Sequence, residues 1–152
     1  MAVLARDLMQ TQVVVVAPED PLDGVVRLFS DEGIHGAPVV DDERRVVGVV
    51  STSDLLRSQA DSNEAERPEY GYFEQGVETF PEGLGGLIEG EQRCVRDVMT
   101  DAIVWVEPTA RVAEVARTLR ENRVHRALVL EDDVLVGIIS SFDLMGLLEK
   151  QG

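Results

Sequence analysis

The sequence predicts a mixed α/β fold of the α+β kind, made of two copies of one strand, helix, strand, strand, helix (βαββα) unit that pack on each other. Three observations carry the prediction. The chain repeats itself: Arg6-Asp7-Leu8-Met9 returns as Arg96-Asp97-Val98-Met99, and Pro18, Arg27, His35 and Val39 meet Pro108, Arg117, His125 and Val129 at the same offset of 90. After a one-residue shortening in a turn the offset is 89, and Gly48-Val49-Val50-Ser51-Thr52-Ser53-Asp54-Leu55 returns as Gly137-Ile138-Ile139-Ser140-Ser141-Phe142-Asp143-Leu144. Half of a 152-residue chain is too small to hold a comfortable core alone, so the copies should share apolar surface. Within each copy, the apolar pattern switches between strand and helix periods.

The elements follow in order. Val13 to Val16 is a β-branched run ended by Ala17-Pro18, which reads as a buried strand. Leu22, Val25, Val26 and Phe29 fall on one helical face, and Gly33 closes that helix; Val112, Val115, Ala116 and Leu119 take the same places in the second copy. Ala37–Val40 and Val46–Val50 are strands, joined across Asp41-Asp42-Glu43-Arg44-Arg45 by a hairpin. Ser51 opens a second helix carrying Leu55 and Leu56, and the whole order repeats from Ile103 to Glu149. The organisation is a first repeat over 1–60, an insert over 61–93 and a second repeat over 94–152.

The insert holds nine acids against two arginines, yet Tyr70, Tyr72, Phe73 and Phe80 are four of the chain's seven aromatics. Its glycines and prolines exclude a long helix. Clustered rings argue for a partly ordered loop packed on its own module or on a second subunit, rather than an acidic tether. A formal net charge of −15 argues against nucleic acid or an anionic membrane as partner. No apolar run reaches the ~20 residues of a membrane span, and no secretory signal precedes the first repeat. With Cys94 the only cysteine there is no intramolecular disulfide, which fits a reducing cytoplasm. Two histidines and one cysteine leave no transition-metal cluster, and the acidic hairpin turns read as solvated. Trp105, on an aliphatic strand, reads as core.

Ser51-x-x-Asp54 and Ser140-x-x-Asp143 have the form of a helix capping box. Two such caps, or two related binding sites, both account for the repetition. A hydrolase triad is not needed to explain Ser and Asp, because the duplicated cap does so. His35 and His125 fit capping or packing as well as ligand contact, and Arg126 alone reads as a solvated residue entering a strand.

Taken together, the opening Asp-x-Met of each copy, the amphipathic helix, His35-Gly36-Ala37-Pro38-Val39-Val40-Asp41, Gly48-Val49-Val50-Ser51 and Asp54 resemble cystathionine-β-synthase (CBS) domains. The pair resembles the Bateman module such domains form, over about residues 3–58 and 94–149. The resemblance implies that the repeats pack through their sheets about a pseudo-twofold axis, leaving two clefts that hold adenosyl ligands. One cleft is then lined by Val49, Ser51, Ser53 and Asp54, with Ala102, Ile103, His125 and Arg126 from the other copy. The second uses Ile138, Ser140 and Asp143, with Gln12, Val13 and His35. Asp54 and Asp143 would take the ribose hydroxyls, and Ser51 and Ser140, beside free helix N–H groups, the phosphate. The first cleft is expected to be the principal one, because Arg126 can hold phosphate where the second offers only Gly36.

The implied function is a non-catalytic, cytoplasmic sensor of an adenosyl ligand such as AMP, ADP or ATP, with no obligatory cofactor and no metal. It would act by linkage on an unidentified protein effector. The implied homodimer would pair through the helices Leu22–Glu32, Thr52–Arg57, Arg111–Asn122 and Ser141–Glu149, with Leu144, Leu147 and Leu148 as contacts. A scaffolding protein that kept the fold, lost the ligand and acts through its acidic insert is the alternative.

Overall fold

Burial of an apolar stripe on one 11-residue helix per copy, Leu22–Glu32 and Val112–Asn122, organises the fold. The computed structural model describes residues 2–59, 71–74 and 92–151. A short helix α1 (Ala5–Leu8) precedes α2 (Leu22–Glu32), the hairpin strands β1 (Gly36–Val40) and β2 (Val46–Ser51), and α3 (Thr52–Gln59). From the insert comes α4 (Gly71–Glu74). The second copy runs from a 3₁₀ turn (Val95–Asp97) through β3 (Trp105–Val106), α5 (Val112–Asn122), β4 (Arg126–Glu131) and β5 (Val134–Ser140) to α6 (Ser141–Gln151).

Leu22, Val25, Val26 and Phe29 are all buried, and Gly33 ends α2 in the left-handed conformation that its lack of Cβ permits. Full burial of a side chain such as Phe29 contributes about 2–3 kcal/mol. In α5 only Val115 and Leu119 are buried, whereas Val112 is half-buried and Ala116 is exposed, so this face is narrower than expected. Arg123 takes the left-handed position that Gly33 fills in the first copy.

The two sheets differ by a strand. Among the described residues β1 and β2 form a two-stranded sheet, while β3, β4 and β5 form a three-stranded sheet with β3 parallel to β4. The strand expected over Val13–Val16 is reduced to a bridge between Val16 and Val39. The cause lies on the neighbouring strand. Leu128 donates its N–H to Val104 in the second copy, but its counterpart is Pro38, which has no N–H to donate. Trp105 is a correction as well: it is 46% exposed, because Val104 and Val106 turn inward and the residue between them faces out.

Each copy lends its opening residues to the other. Gln10 bridges to Ile138 on β5 and Thr100 to Val49 on β2. Ala5 joins the core of the second copy, and Val95 and Val98 join that of the first. A Cβ on Gly48 would lie 2.7 Å from the Thr100 carbonyl oxygen, and one on Gly137 would lie 2.6 Å from Met9 Sδ. The repeated glycine and the repeated Asp-x-Met are therefore two sides of one contact, made twice. The hairpins also meet, through Arg44 Nε donating to the Leu135 carbonyl at 3.1 Å.

Candidate functional site

Two Ser/Asp pairs stand where β2 runs into α3 and β5 into α6. Ser51 N–H and Oγ both donate to Asp54 Oδ2, at 2.9 and 3.1 Å, and Asp54 N–H donates back to Ser51 Oγ at 3.4 Å. Ser140 and Asp143 repeat the arrangement at 2.9, 3.0 and 3.3 Å. Both are reciprocal capping boxes, so one oxygen of each aspartate is committed to its own helix start. What the second oxygen meets separates the two sides.

On the first side Arg57, one turn along α3, bridges Asp54 Oδ1 at 3.1 Å. Ser51, Asp54 and Val49 are all buried, and Ser53 is half-buried. Val49 exchanges backbone hydrogen bonds with Thr100, at 2.8 and 2.9 Å; Ala102 N–H donates to Thr100 Oγ1 at 3.4 Å, and Ile103 packs against the core cluster that holds Val49. On the second side the position of Arg57 is taken by Gly146, with open space where a Cβ would stand. There Asp143 Oδ1 accepts from Gln10 Nε2 at 3.1 Å, across the copies. Ile138, Ser140, Asp143 and Val13 are half-buried and Gln12 is exposed, so the residues of this side are more exposed than the buried Val49, Ser51 and Asp54 of the other.

Between the sides, Gly36 opposes Ser51 on the first hairpin and Arg126 opposes Ser140 on the second. Residues from the insert lie here: Tyr72 and Phe73 are buried and set edge to face, with ring centroids 5.0 Å apart. Arg126 Cζ stands 3.8 Å from the centre of the Tyr72 ring, and Arg126 Nε donates to the Tyr72 carbonyl at 2.8 Å. His125 N–H donates to the Phe73 carbonyl at 2.9 Å, while His125 as a residue is exposed. Burial pushes the Tyr72 hydroxyl above its ordinary pKa, with Arg126 pulling it back. His35 Nδ1 is buried and has no hydrogen-bond partner among the described residues. Tyr70 and Phe80 lie outside the described residues.

Four contributors escaped the sequence reading. Arg57 was legible in the offset arithmetic, since its counterpart is glycine, and Tyr72 in the ring cluster of the insert. Gln10 and Thr100 had no signal beyond their shared offset. Among the described residues no group of histidine, cysteine and acids could hold a metal ion. Asp41 accepts the N–H groups of Arg45 and Glu43, and the Arg45 bond above all holds its exposed carboxyl below the usual range. No helix among the described residues is long and apolar enough to cross a membrane.

Comparison with known proteins matches the CBS domain model at residues 5–61 and 95–150. The uncharacterized protein MJ1426 of Methanocaldococcus jannaschii is 30% identical, over 93% of this chain and 89% of that protein. The chloroplastic CBS domain-containing protein CBSX1 of Arabidopsis thaliana is 32% identical over 83% of this chain, which spans only 55% of it. The crystal structure of CBSX2 in complex with AMP superposes with a TM-score of 0.69 at 25% identity, covering 98% of both chains.

Proposed function

The chain belongs to the CBS domain family, and on that premise we propose that it is a non-catalytic regulatory module that binds an adenosyl ligand between its two repeats. AMP, ADP or ATP is the ligand class, in line with the AMP held by CBSX2. Asp54 and Asp143 are the ribose-binding carboxylates and Ser51 and Ser140 sit at the phosphate end. Adenine lies between Val49 and Ala102-Ile103 on one side, or between Ile138 and Gln12-Val13 on the other. The observation that carries the reading is the half-buried Asp143, whose second oxygen faces a side chain of the opposite copy. A ligand gripped there senses how the copies sit together, and a protein effector that recognises one arrangement reads its occupancy. The first repeat (1–60), insert (61–93) and second repeat (94–152) form one working unit, placed in the cytoplasm.

The module is further proposed to act as a homodimer. Phe142, Met145 and Leu148 form an exposed apolar stripe three residues apart on α6. This stripe, rather than the half-buried Leu144 and Leu147, is the dimer surface.

A native mass spectrum of freshly purified protein tests both statements, through the mass of the assembly and of any retained ligand. Calorimetry then compares AMP with 2′-deoxy-AMP. Loss of one charge-assisted hydrogen bond should weaken the deoxy analogue roughly ten- to hundredfold. Equal affinities would remove the aspartates from the site. The second reading, a scaffold without ligand, draws on Asp54 being already satisfied by Ser51 and Arg57. It prevails if no adenosyl compound binds.

A further inference from the structure

Positions 36 and 126 are equivalent in the two copies, each beginning a strand opposite the capping serine, and they hold the most unlike pair possible, glycine and arginine. Tyr72 explains both. A Cβ on Gly36 would stand 2.4 Å from Tyr72 Cδ1, so a residue with a side chain there excludes the ring. At position 126 the guanidinium covers the ring at 3.8 Å and donates to the Tyr72 carbonyl at 2.8 Å. The adjoining Phe73 carbonyl takes the His125 N–H at 2.9 Å. A carbonyl oxygen to donate to and a π face to cover are the partners a guanidinium takes when no anion is offered. Phosphate oxygens would be a stronger partner for the same group.

We propose that Tyr72 is an internal competitor for ligand phosphate: the helix 71–74 holds Arg126 between the copies until a phosphate-bearing ligand displaces it. This rests on the adenosyl reading and deepens it, by naming the part of the ligand that the insert controls. A bare nucleoside has nothing with which to displace Tyr72. A nucleotide gains Arg126 only by releasing the contacts at Tyr72 and Phe73, so binding and the position of α4 are linked.

The test is calorimetric titration of wild type, Tyr72→Ala and the double variant Tyr72→Ala/Arg126→Ala with AMP and with adenosine. Freeing Arg126 should tighten AMP about tenfold, the scale of a desolvated cation–π contact, and leave adenosine within about twofold. The double variant should lose that gain. If AMP affinity falls in Tyr72→Ala, or moves in step with adenosine, the proposal is overturned and the adenosyl reading stands. If neither compound binds any of the three proteins, the adenosyl reading fails and this proposal with it. Because Tyr72 is a core residue, a second measurement uses wild type alone. Saturating AMP should speed chymotryptic cleavage after Tyr72 and Phe73, identified by fragment mass, and saturating adenosine should not. A cleavage rate indifferent to AMP overturns the proposal.

Discussion

The Asp54 and Asp143 sides share a cap, a glycine and a crossing segment from the opposite copy, yet the residues of one are more buried than those of the other. Their hydrogen-bonded distances differ by no more than 0.1 Å. The shared motif therefore sets the geometry of a helix start, and single unshared positions set access to it. Arg57 against Gly146 decides whether the second carboxylate oxygen is taken by the same helix. Gly36 against Arg126 decides where an aromatic ring from the insert can lie. Duplication made two equal frames, and substitution made them unequal.

The largest expected effect tests whether the insert is part of the fold or a tether laid over the first side. Phe73 is fully buried, in the same core as Val49 and Leu128. Truncating it leaves a cavity in packed surroundings, so Phe73→Ala should cost about 3–5 kcal/mol in urea denaturation. A cost below about 1 kcal/mol would mean that the core closes without the insert, and the covering of the Asp54 side would need another cause.

A smaller effect separates the aspartates themselves. Asp54→Ala removes a buried cap, the acceptor of both Ser51 donors, and one ion pair made by Arg57. Asp143→Ala removes a half-buried cap and a contact to Gln10. Loss of a helix cap costs typically about 1 kcal/mol, and leaving the buried Ser51 N–H and hydroxyl without their carboxylate acceptor adds to that. Asp54→Ala is therefore expected to destabilise by about 2 kcal/mol, and Asp143→Ala by about 1 kcal/mol, in paired denaturation curves. If the order reverses, burial and the Arg57 bridge do not distinguish the sides, and the comparison loses its energetic basis.

The fold was legible because the sequence states it twice: helix faces, hairpins and caps could each be checked against a second copy. The missing first strand was legible in part, since Pro38 stands in plain view, but its effect depends on which neighbour needs the N–H. Trp105 was misread because an alternating strand and a buried run look alike over two residues. At the site, Ser51, Asp54, Ser140 and Asp143 could be found from spacing. Gln10 reaching Asp143 and Tyr72 lying under Arg126 could not, because both contacts join segments far apart in the chain. Gly36 shows the limit most clearly. In sequence it is the place where an arginine is lacking; in the structure it is the place where a ring fits.

The smallest expected effect reads that ring directly. Burial raises the Tyr72 hydroxyl above its ordinary 10.0. Below pH 10 the hydroxyl is neutral in both folded and unfolded chain and adds no pH dependence. As pH rises past that value the unfolded chain ionises first, so stability is lost progressively until the folded hydroxyl also titrates. Ultraviolet titration of phenolate should show a late component that Tyr72→Phe abolishes. Saturating AMP should bring that component back toward 10, since a displaced ring regains water, whereas adenosine should leave it late. A late component that persists in Tyr72→Phe would assign it elsewhere. One that ignores AMP would mean that the first side stays closed over Tyr72 even when nucleotide is bound, and that the Asp143 side alone carries the ligand.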